Sequence, residues 1–134
     1  MANFPNMFFL LGPNVGLGHT SMVYMIESQI NYIADALATV DRLGLRTVEV
    51  RREVQDEYNR ELQAKLSKSV WNTGGCASWY LDKHGNNTTL WPDFTFRFRS
   101  LTRKFDVSAY ATSTTPDKNT APEPTTAPAE LKVV

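Results

Sequence analysis

The chain is poor in cysteine, carries no excess of charge of either sign and has no long hydrophobic run. Its 134 residues include one cysteine, Cys76, which excludes an internal disulfide and suits a reducing compartment. Its 14 basic residues balance its 14 acidic ones, so charge favours neither nucleic acid nor an anionic membrane as a partner. The apolar run at residues 7–11 is too short to cross a membrane and follows no basic segment, which excludes a signal peptide. We therefore expect a cytoplasmic protein with no transmembrane segment.

Standard nucleotide-binding and metal motifs are also missing. Gly12, Gly16 and Gly18 do not have GxGxxG spacing, and the Lys-Ser/Thr pair of a Walker A loop is absent. His19 has no second ligand at zinc-like spacing, and no base or oxyanion hole is indicated near Cys76. The pattern alone leaves two interpretations of the glycine turn at residues 12–18, a cofactor-contacting turn or a plain structural loop.

A strand, this glycine turn and a helix are predicted at the N-terminus. The run at 7–11 lies between turn-forming residues, as expected for a strand buried on both faces of a parallel sheet. A helix is predicted over about 21–39, where Thr20 or Ser21 would cap its exposed amides. Its apolar stripe consists of Met22, Ile26, Ile30, Ile33 and Leu37.

The rest of the chain predicts a second helix, a hairpin, a short last helix and a tail. Residues 77–81 and 88–91 would pair around a turn at 82–87. The last helix is predicted at about 93–103, although alternating phenylalanines leave a strand open there. Composition rich in Thr, Ser, Pro and Ala predicts disorder over 111–134. The second helix, ending near residues 72–75, is predicted from apolar residues that recur every fourth position: Val50, Val54, Tyr58, Leu62 and Leu66.

Residues 4–21, FPNMFFLLGPNVGLGHTS, closely resemble the C-terminal FAD-domain segment of class B flavoprotein monooxygenases. This family comprises the Baeyer–Villiger and flavin-containing monooxygenases. The resemblance continues through residues 25–33 and through the separated motifs Val70-Trp71, Trp79-Tyr80 and Trp91-Pro92. It covers roughly residues 3–110, in order.

The resemblance implies an α/β fold in which residues 1–110 are a remnant of an FAD-binding, Rossmann-like domain. It implies monooxygenation of a ketone carbon or of nitrogen or sulfur, with NADPH reducing the FAD. The helix after the glycine turn would direct its positive N-terminal end at the flavin. The positions that the resemblance implies near FAD are Gly12, Asn14, Gly18, His19, Thr20 and Ser21. They would bind and tune the flavin and would not act as acid, base or nucleophile.

The sequence also departs from this family, which needs a GxGxxG for FAD and a second dinucleotide fold for NADPH. We therefore expect a chain that does not catalyse oxygenation alone. Two alternatives stay open: a non-catalytic interaction module or split-enzyme subunit that pairs with a separate flavoprotein, and a truncated relic. An apolar face without its neighbours would favour association with that missing part or with a second copy.

Overall fold

The computed structural model describes residues 1–18, 20–74 and 79–114. The described ranges contain helices and a small two-stranded antiparallel sheet, which is compatible with the predicted α/β class, while the Rossmann-like remnant remains a prediction. Within the described ranges, no helix is long and apolar enough to cross a membrane. The elements in chain order are α1 (Met22–Arg42), β1 (Leu45–Val50), α2 (Arg52–Leu66), α3 (Val70–Thr73), α4 (Thr95–Leu101), a 3-10 turn (Val107–Ala109) and β2 (Tyr110–Thr114).

The first predicted helix is confirmed as α1, which runs three residues beyond its expected end near residue 39. Arg42 in its last turn interacts favourably with the negative end of the helix dipole. Gly44 follows with a φ of 60°, a conformation that glycine adopts without steric cost. The chain then turns directly into β1.

The second predicted helix is confirmed as α2, but its first stripe residue was assigned wrongly, and it ends at Leu66 and not near residues 72–75. Val50 ends β1 and pairs with Tyr110 of β2 in an antiparallel ladder. The ladder continues to the pair Leu45 and Thr114. Val50 fits the four-residue spacing of the helix by coincidence, because β-branched residues at 47, 48 and 50 favour the strand.

The predicted parallel strand at residues 7–11 is wrong, since these residues form no strand. The N-terminal segment is instead attached to the edge of β1 through Asn6. The Asn6 amide donates to the Val48 carbonyl, and the Val48 amide donates to Asn6 Oδ1, each at 2.9 Å. A buried parallel strand needs hydrogen-bonded neighbours on both sides. The described residues supply only a two-stranded antiparallel sheet.

The predicted hairpin is confirmed only as a turn with one antiparallel bridge, between Leu81 and Asn87. The Asp82 carboxylate stabilises the turn by accepting hydrogen bonds from the amides of His84 and Asn86. Residues 77 and 78 of the predicted first strand lie outside the described residues. The predicted return strand at 88–91 is wrong, because Leu90 forms its bridge with Gly16 instead.

Two further expectations concern the C-terminal part. Helix α4 settles the open choice at residues 93–103 in favour of a helix. Strand β2 occupies residues 111–114, the first part of the segment predicted to be disordered. This segment begins as a strand because β1 offers it a hydrogen-bonded edge. The rest of the segment lies outside the described residues.

The hydrophobic residues form two clusters, and α1 contributes to both through Met25 and Ala36. The first lies beneath the glycine turn, and the second lies beneath the sheet. α1 therefore connects the glycine turn to the β1–β2 sheet. The buried members of the first cluster are Val15, Met25, Leu62, Leu66, Leu90, Trp91 and Phe98. Those of the second are Ala36, Val48 and Phe105.

Candidate functional site

Asn14 is buried at the centre of the glycine turn. Its φ of 59° lies in the left-handed region, which asparagine tolerates better than most residues. Its Nδ2 donates to the carbonyl oxygens of Asn87 at 2.6 Å and of Leu90 at 3.1 Å. Both Nδ2 hydrogens are therefore used, and they attach the turn to residues 87–90.

Gly16 extends this attachment by a parallel bridge to Leu90. Its amide donates to the Thr89 carbonyl, and its carbonyl accepts from the Trp91 amide, each at 2.8 Å. A Cβ at position 16 would lie 2.7 Å from the Thr89 carbonyl oxygen. Glycine permits this close backbone approach, and any side chain would push the two segments apart.

Gly18 lies against the indole ring of Trp71, which belongs to α3. A Cβ at position 18 would lie 2.7 Å from Trp71 Cζ2. Beside this contact is a cavity of about 230 Å³, whose walls include Trp91 and Phe94. The Ser69 hydroxyl oxygen also lies at this cavity, buried and without a hydrogen-bond partner among the described residues. The glycine turn thus opens on an aromatic cavity.

The N-terminal end of α1 is exposed at the end of the glycine turn. Ser21 is its N-cap residue, yet the Ser21 side chain makes no capping hydrogen bond, and the first turn contains no acidic residue. Thr20 and Ser21 are both exposed. Uncapped amides and the dipole of a 21-residue helix favour an anionic group at this end. These features fit the anionic edge of a reduced flavin.

The structure separates the predicted FAD-proximal residues into two groups. Gly12 and Asn14 lie at the inner end of the turn, where Asn14 is buried. Gly18, Thr20 and Ser21 lie together at the exposed end, beside the start of α1. The sixth, His19, lies outside the described residues. A flavin contact for each of the six remains a prediction.

Sequence reasoning missed Asn87, which it assigned to a polar turn. Asn87 is completely buried and forms hydrogen bonds with Asn14, Gln63 and Asn72. Gln63 lies beside Leu62 on α2, at the edge of the predicted apolar stripe. The polar residue Gln63 at the border of this stripe was the one signal in the sequence for a buried polar partner.

The titratable groups with shifted pKa values in the described part of the chain lie outside residues 12–18 of the turn. Hydrogen bonds from the amide and side chain of Asn86 hold the pKa of Asp82 below its usual value. The Ser108 hydroxyl and amide lower the pKa of Asp106 in the same way. Groups of three or more possible metal ligands are absent from the described residues. The groups that the turn offers to a ligand are backbone amides and polar side chains.

An apolar surface lies beside the turn. Residues 9–11 are Phe9, Leu10 and Leu11, whose exposed fractions are 44%, 50% and 51%. The Leu11 amide donates to Gln29 Oε1 at 3.1 Å, which attaches this segment to α1. On α1, three apolar side chains recur every seven residues, and about half or more of each is exposed. They are Val23, Ile30 and Leu37, with exposed fractions of 62%, 49% and 58%. We call these six residues the apolar surface.

Comparison with known proteins identifies similar sequences over most of the chain. A Baeyer-Villiger monooxygenase of Pseudomonas aeruginosa is 62% identical over 116 residues, 86% of this chain and 22% of that protein. A Baeyer-Villiger monooxygenase of Streptomyces coelicolor is 49% identical over 110 residues, 81% of this chain and 21% of that protein. An FAD-binding monooxygenase of Aspergillus niger is 33% identical over 99 residues, 71% of this chain and 16% of that protein. No protein-family model and no solved structure matches.

These relatives share one class in their names, the monooxygenases. Within that class, the chain is similar to a segment of flavin-dependent monooxygenases, and the two relatives of higher identity are named Baeyer-Villiger monooxygenases. It spans about a fifth of the length of the first two relatives. The resemblance of most of the chain to flavin monooxygenases is thereby confirmed.

Proposed function

We propose that this chain is the flavin-facing segment of a monooxygenase that uses FAD and NADPH. The reaction would be Baeyer–Villiger oxidation of a ketone or oxygenation of nitrogen or sulfur. One observation carries the proposal: the exposed, uncapped N-terminal end of α1 directly follows a rigidly attached glycine turn. Such an end attracts negative charge, and reduced flavin carries negative charge around N1 and O2.

The chain's own residues would bind and tune the cofactor. Gly18, Thr20 and Ser21 would lie closest to the flavin, with His19 between them, since they surround the start of α1. Gly12 and Asn14 would keep the preceding turn in place. When bound, reduced FAD would supply the activation of molecular oxygen. The amides at the start of α1 would stabilise its negative charge by roughly 0.3–1 kcal/mol, typical for a group at a helix end.

We further propose that the chain does not catalyse oxygenation alone. The sequence contains no GxGxxG motif to hold the pyrophosphate of FAD or NADPH. A flavin at the start of α1 would therefore contact this chain along one edge only. A cytoplasmic location for the assembled enzyme also belongs to this proposal, because the single cysteine suits a reducing compartment.

The experiment combines the purified chain with the remainder of the Pseudomonas aeruginosa relative, expressed as a separate polypeptide. Each part and the mixture are incubated with FAD, passed over a desalting column, and assayed for flavin absorbance and fluorescence quenching. We expect retained flavin and NADPH oxidation from the mixture and a colourless chain alone. A mixture that retains no flavin contradicts the flavin-facing role, and a yellow chain alone contradicts the dependence on a second part.

The apolar surface favours the split-enzyme form of this proposal. Its six side chains expose apolar area along α1 and on the segment just before the glycine turn, and large exposed apolar areas mark interaction sites. The chain matches about a fifth of its relatives' length, so the occupant we propose is the remaining part of the monooxygenase. Helix α1 would then contact both this chain's own core and the remaining part of the monooxygenase.

The docking proposal is tested by Ile30→Glu, with Asn31→Glu as the matched control. Both residues are exposed on α1, so both variants add one charge to the same turn, but only the first lies on the apolar surface. We expect Ile30→Glu alone to weaken binding of the remainder, measured by calorimetry, with unfolding midpoints equal in both variants. Equal binding by the two variants would exclude this surface. Dimers that Ile30→Glu disrupts, without any binding of the remainder, would assign the surface to a second copy.

A further inference from the structure

The side chain of Asn87 folds residues 87–90 into a fixed turn. Its Oδ1 accepts from the Thr89 amide at 3.1 Å and from the Leu90 amide at 3.0 Å. Its Nδ2 donates to Asn72 Oδ1 at 3.2 Å. The side chain is fully buried, so losing it would leave polar groups without partners and without water.

The backbone of Asn87 joins this turn to two other elements. Its carbonyl accepts from Asn14 Nδ2 at 2.6 Å and from Gln63 Nε2 at 2.8 Å. Its amide donates to Gln63 Oε1 at 3.1 Å, so the Gln63 side-chain amide is paired at both ends. Helix α2 therefore holds the segment that holds the glycine turn. A network in which every member has a partner favours one geometry.

We propose that Asn87 is a positioning residue for the cofactor-facing turn. It fixes residues 87–90, and these bind Asn14 and Gly16 and so set where Gly18 and the start of α1 lie. Asparagine suits the position because its side chain both accepts from two amides and donates to Asn72. The link to cofactor rests on the proposed function, whereas the link from Asn87 to the turn rests on the hydrogen bonds alone.

The test of the structural link is amide hydrogen exchange of the 134-residue chain. The variant Asn87→Ala is compared with Asn86→Ala, which makes the same change at the exposed neighbouring asparagine. We expect the Gly16 and Trp91 amides to exchange at least about tenfold faster in Asn87→Ala, as a loss of about 1.4 kcal/mol produces. The α1 interior and β1 should exchange as in the unmodified chain. Unchanged exchange at Gly16, or equal acceleration everywhere, overturns the inference.

The test of the functional link is FAD affinity in the mixture with the remainder of the relative. We expect Asn87→Ala to weaken FAD binding at least about tenfold while Asn86→Ala leaves it unchanged. Normal FAD affinity despite faster exchange at Gly16 overturns the positioning role. If the unmodified mixture binds no FAD, the proposed function fails, and the exchange data still decide whether Asn87 positions the turn.

A milder variant covers the case in which Asn87→Ala does not fold. Asn87→Ser keeps a shorter side-chain acceptor that bonds the following amides more weakly, and it removes the amide group that donates to Asn72. We expect Asn87→Ser to show faster exchange at Gly16 and weaker FAD binding than the unmodified chain. Values equal to the unmodified chain for Asn87→Ser would overturn the role of the side chain.

Discussion

The phenol oxygens of Tyr32 and Tyr110 lie 2.8 Å apart and join α1 to the first residue of β2. The Phe105 ring packs against both tyrosine rings, with its centroid 5.6 Å from that of Tyr32 and 4.5 Å from that of Tyr110. The Asp35 carboxylate accepts from the Phe105 amide at 2.7 Å. The hydroxyl pair is therefore part of a partly buried junction between the first helix and the last strand.

This junction predicts loss of stability at alkaline pH. Burial raises the pKa of Tyr32, and its hydrogen bond with Tyr110 raises it further. Burial also raises the pKa of Tyr110. The fold therefore favours the neutral phenols. Their contribution is fully present below about pH 10, the ordinary phenol pKa, and is lost as pH rises further. Urea unfolding at about pH 8 and about pH 11 should show a lower free energy of unfolding at the higher pH.

Other groups titrate in this range, including Tyr58, whose pKa burial also raises. The double variant Tyr32→Phe/Tyr110→Phe removes both phenols and keeps both rings. Its stability should fall less between the two pH values than that of the unmodified chain. An equal fall in both proteins would show that the junction does not contribute to the alkaline transition. Tyr110→Phe alone should cost about 1 kcal/mol at neutral pH by leaving one hydroxyl unpaired.

Substitutions at Ser21 separate helix stability from flavin binding. Ser21 makes no capping hydrogen bond, so Ser21→Asn and Ser21→Asp should each add a better cap and stabilise the chain by about 0.5–1 kcal/mol. Only aspartate places a negative charge at the proposed flavin edge. Both caps would occupy an amide at the start of α1, so we expect Ser21→Asp, which also adds a charge, to weaken FAD binding in the mixture more than Ser21→Asn, measured by fluorescence titration. Equal affinities would contradict the flavin-facing role of this helix end.

Gly16→Ala should be among the more damaging glycine substitutions in the chain. The new methyl group would meet the Thr89 carbonyl oxygen at 2.7 Å, and backbone would have to move. Gly44→Ala provides the contrast, because nothing lies within 4 Å of an added Cβ there and the φ of 60° alone opposes it. We expect about 1–2 kcal/mol for Gly44→Ala and more for Gly16→Ala, by thermal unfolding. Similar unfolding temperatures for the two variants would show that the backbone at the Gly16–Leu90 bridge can move apart at little cost in stability.

Leu66 and Leu37 each belong to a predicted apolar helix stripe, but they differ in burial in the structure. Leu66 is completely buried, whereas 58% of Leu37 is exposed on the apolar surface. Leu66→Ala should cost about 2–5 kcal/mol, while Leu37→Ala should change stability by less than about 0.5 kcal/mol. Urea unfolding of both variants decides this. A large loss for Leu37→Ala would mean that its side chain is covered in the isolated chain.

Helical periodicity predicted the existence of α1 and α2, because each carries an apolar stripe over several turns, but Ile30 and Leu37 of the first stripe are exposed. The same reasoning failed at residues 7–11 because an apolar run reports burial and not the partner that provides it. In the described chain no neighbouring strand is available, so Phe9, Leu10 and Leu11 remain exposed. Their exposure is consistent with a segment that matches a fifth of its relatives' length.

The exposed end of the candidate site remains a prediction from the sequence, whereas the buried network was found only in the structure. Glycines and small hydroxyl residues before a helix indicate an anion-binding turn from local sequence alone. The role of Asn87 could not be inferred this way, since Asn14 and Asn87 meet only after the hairpin folds onto the turn. A buried asparagine in a polar turn has the same local sequence signature as a solvated one.

The pairing of β1 with β2 has a consequence for the order of folding. The paired residues are about sixty positions apart or more, so the sheet must close a long loop before any of its hydrogen bonds form. The helices and the turn around Asp82 involve close neighbours and need no such closure. During synthesis on the ribosome, β1 therefore presents an open edge until residues 110–114 have emerged, and we expect the sheet to form last.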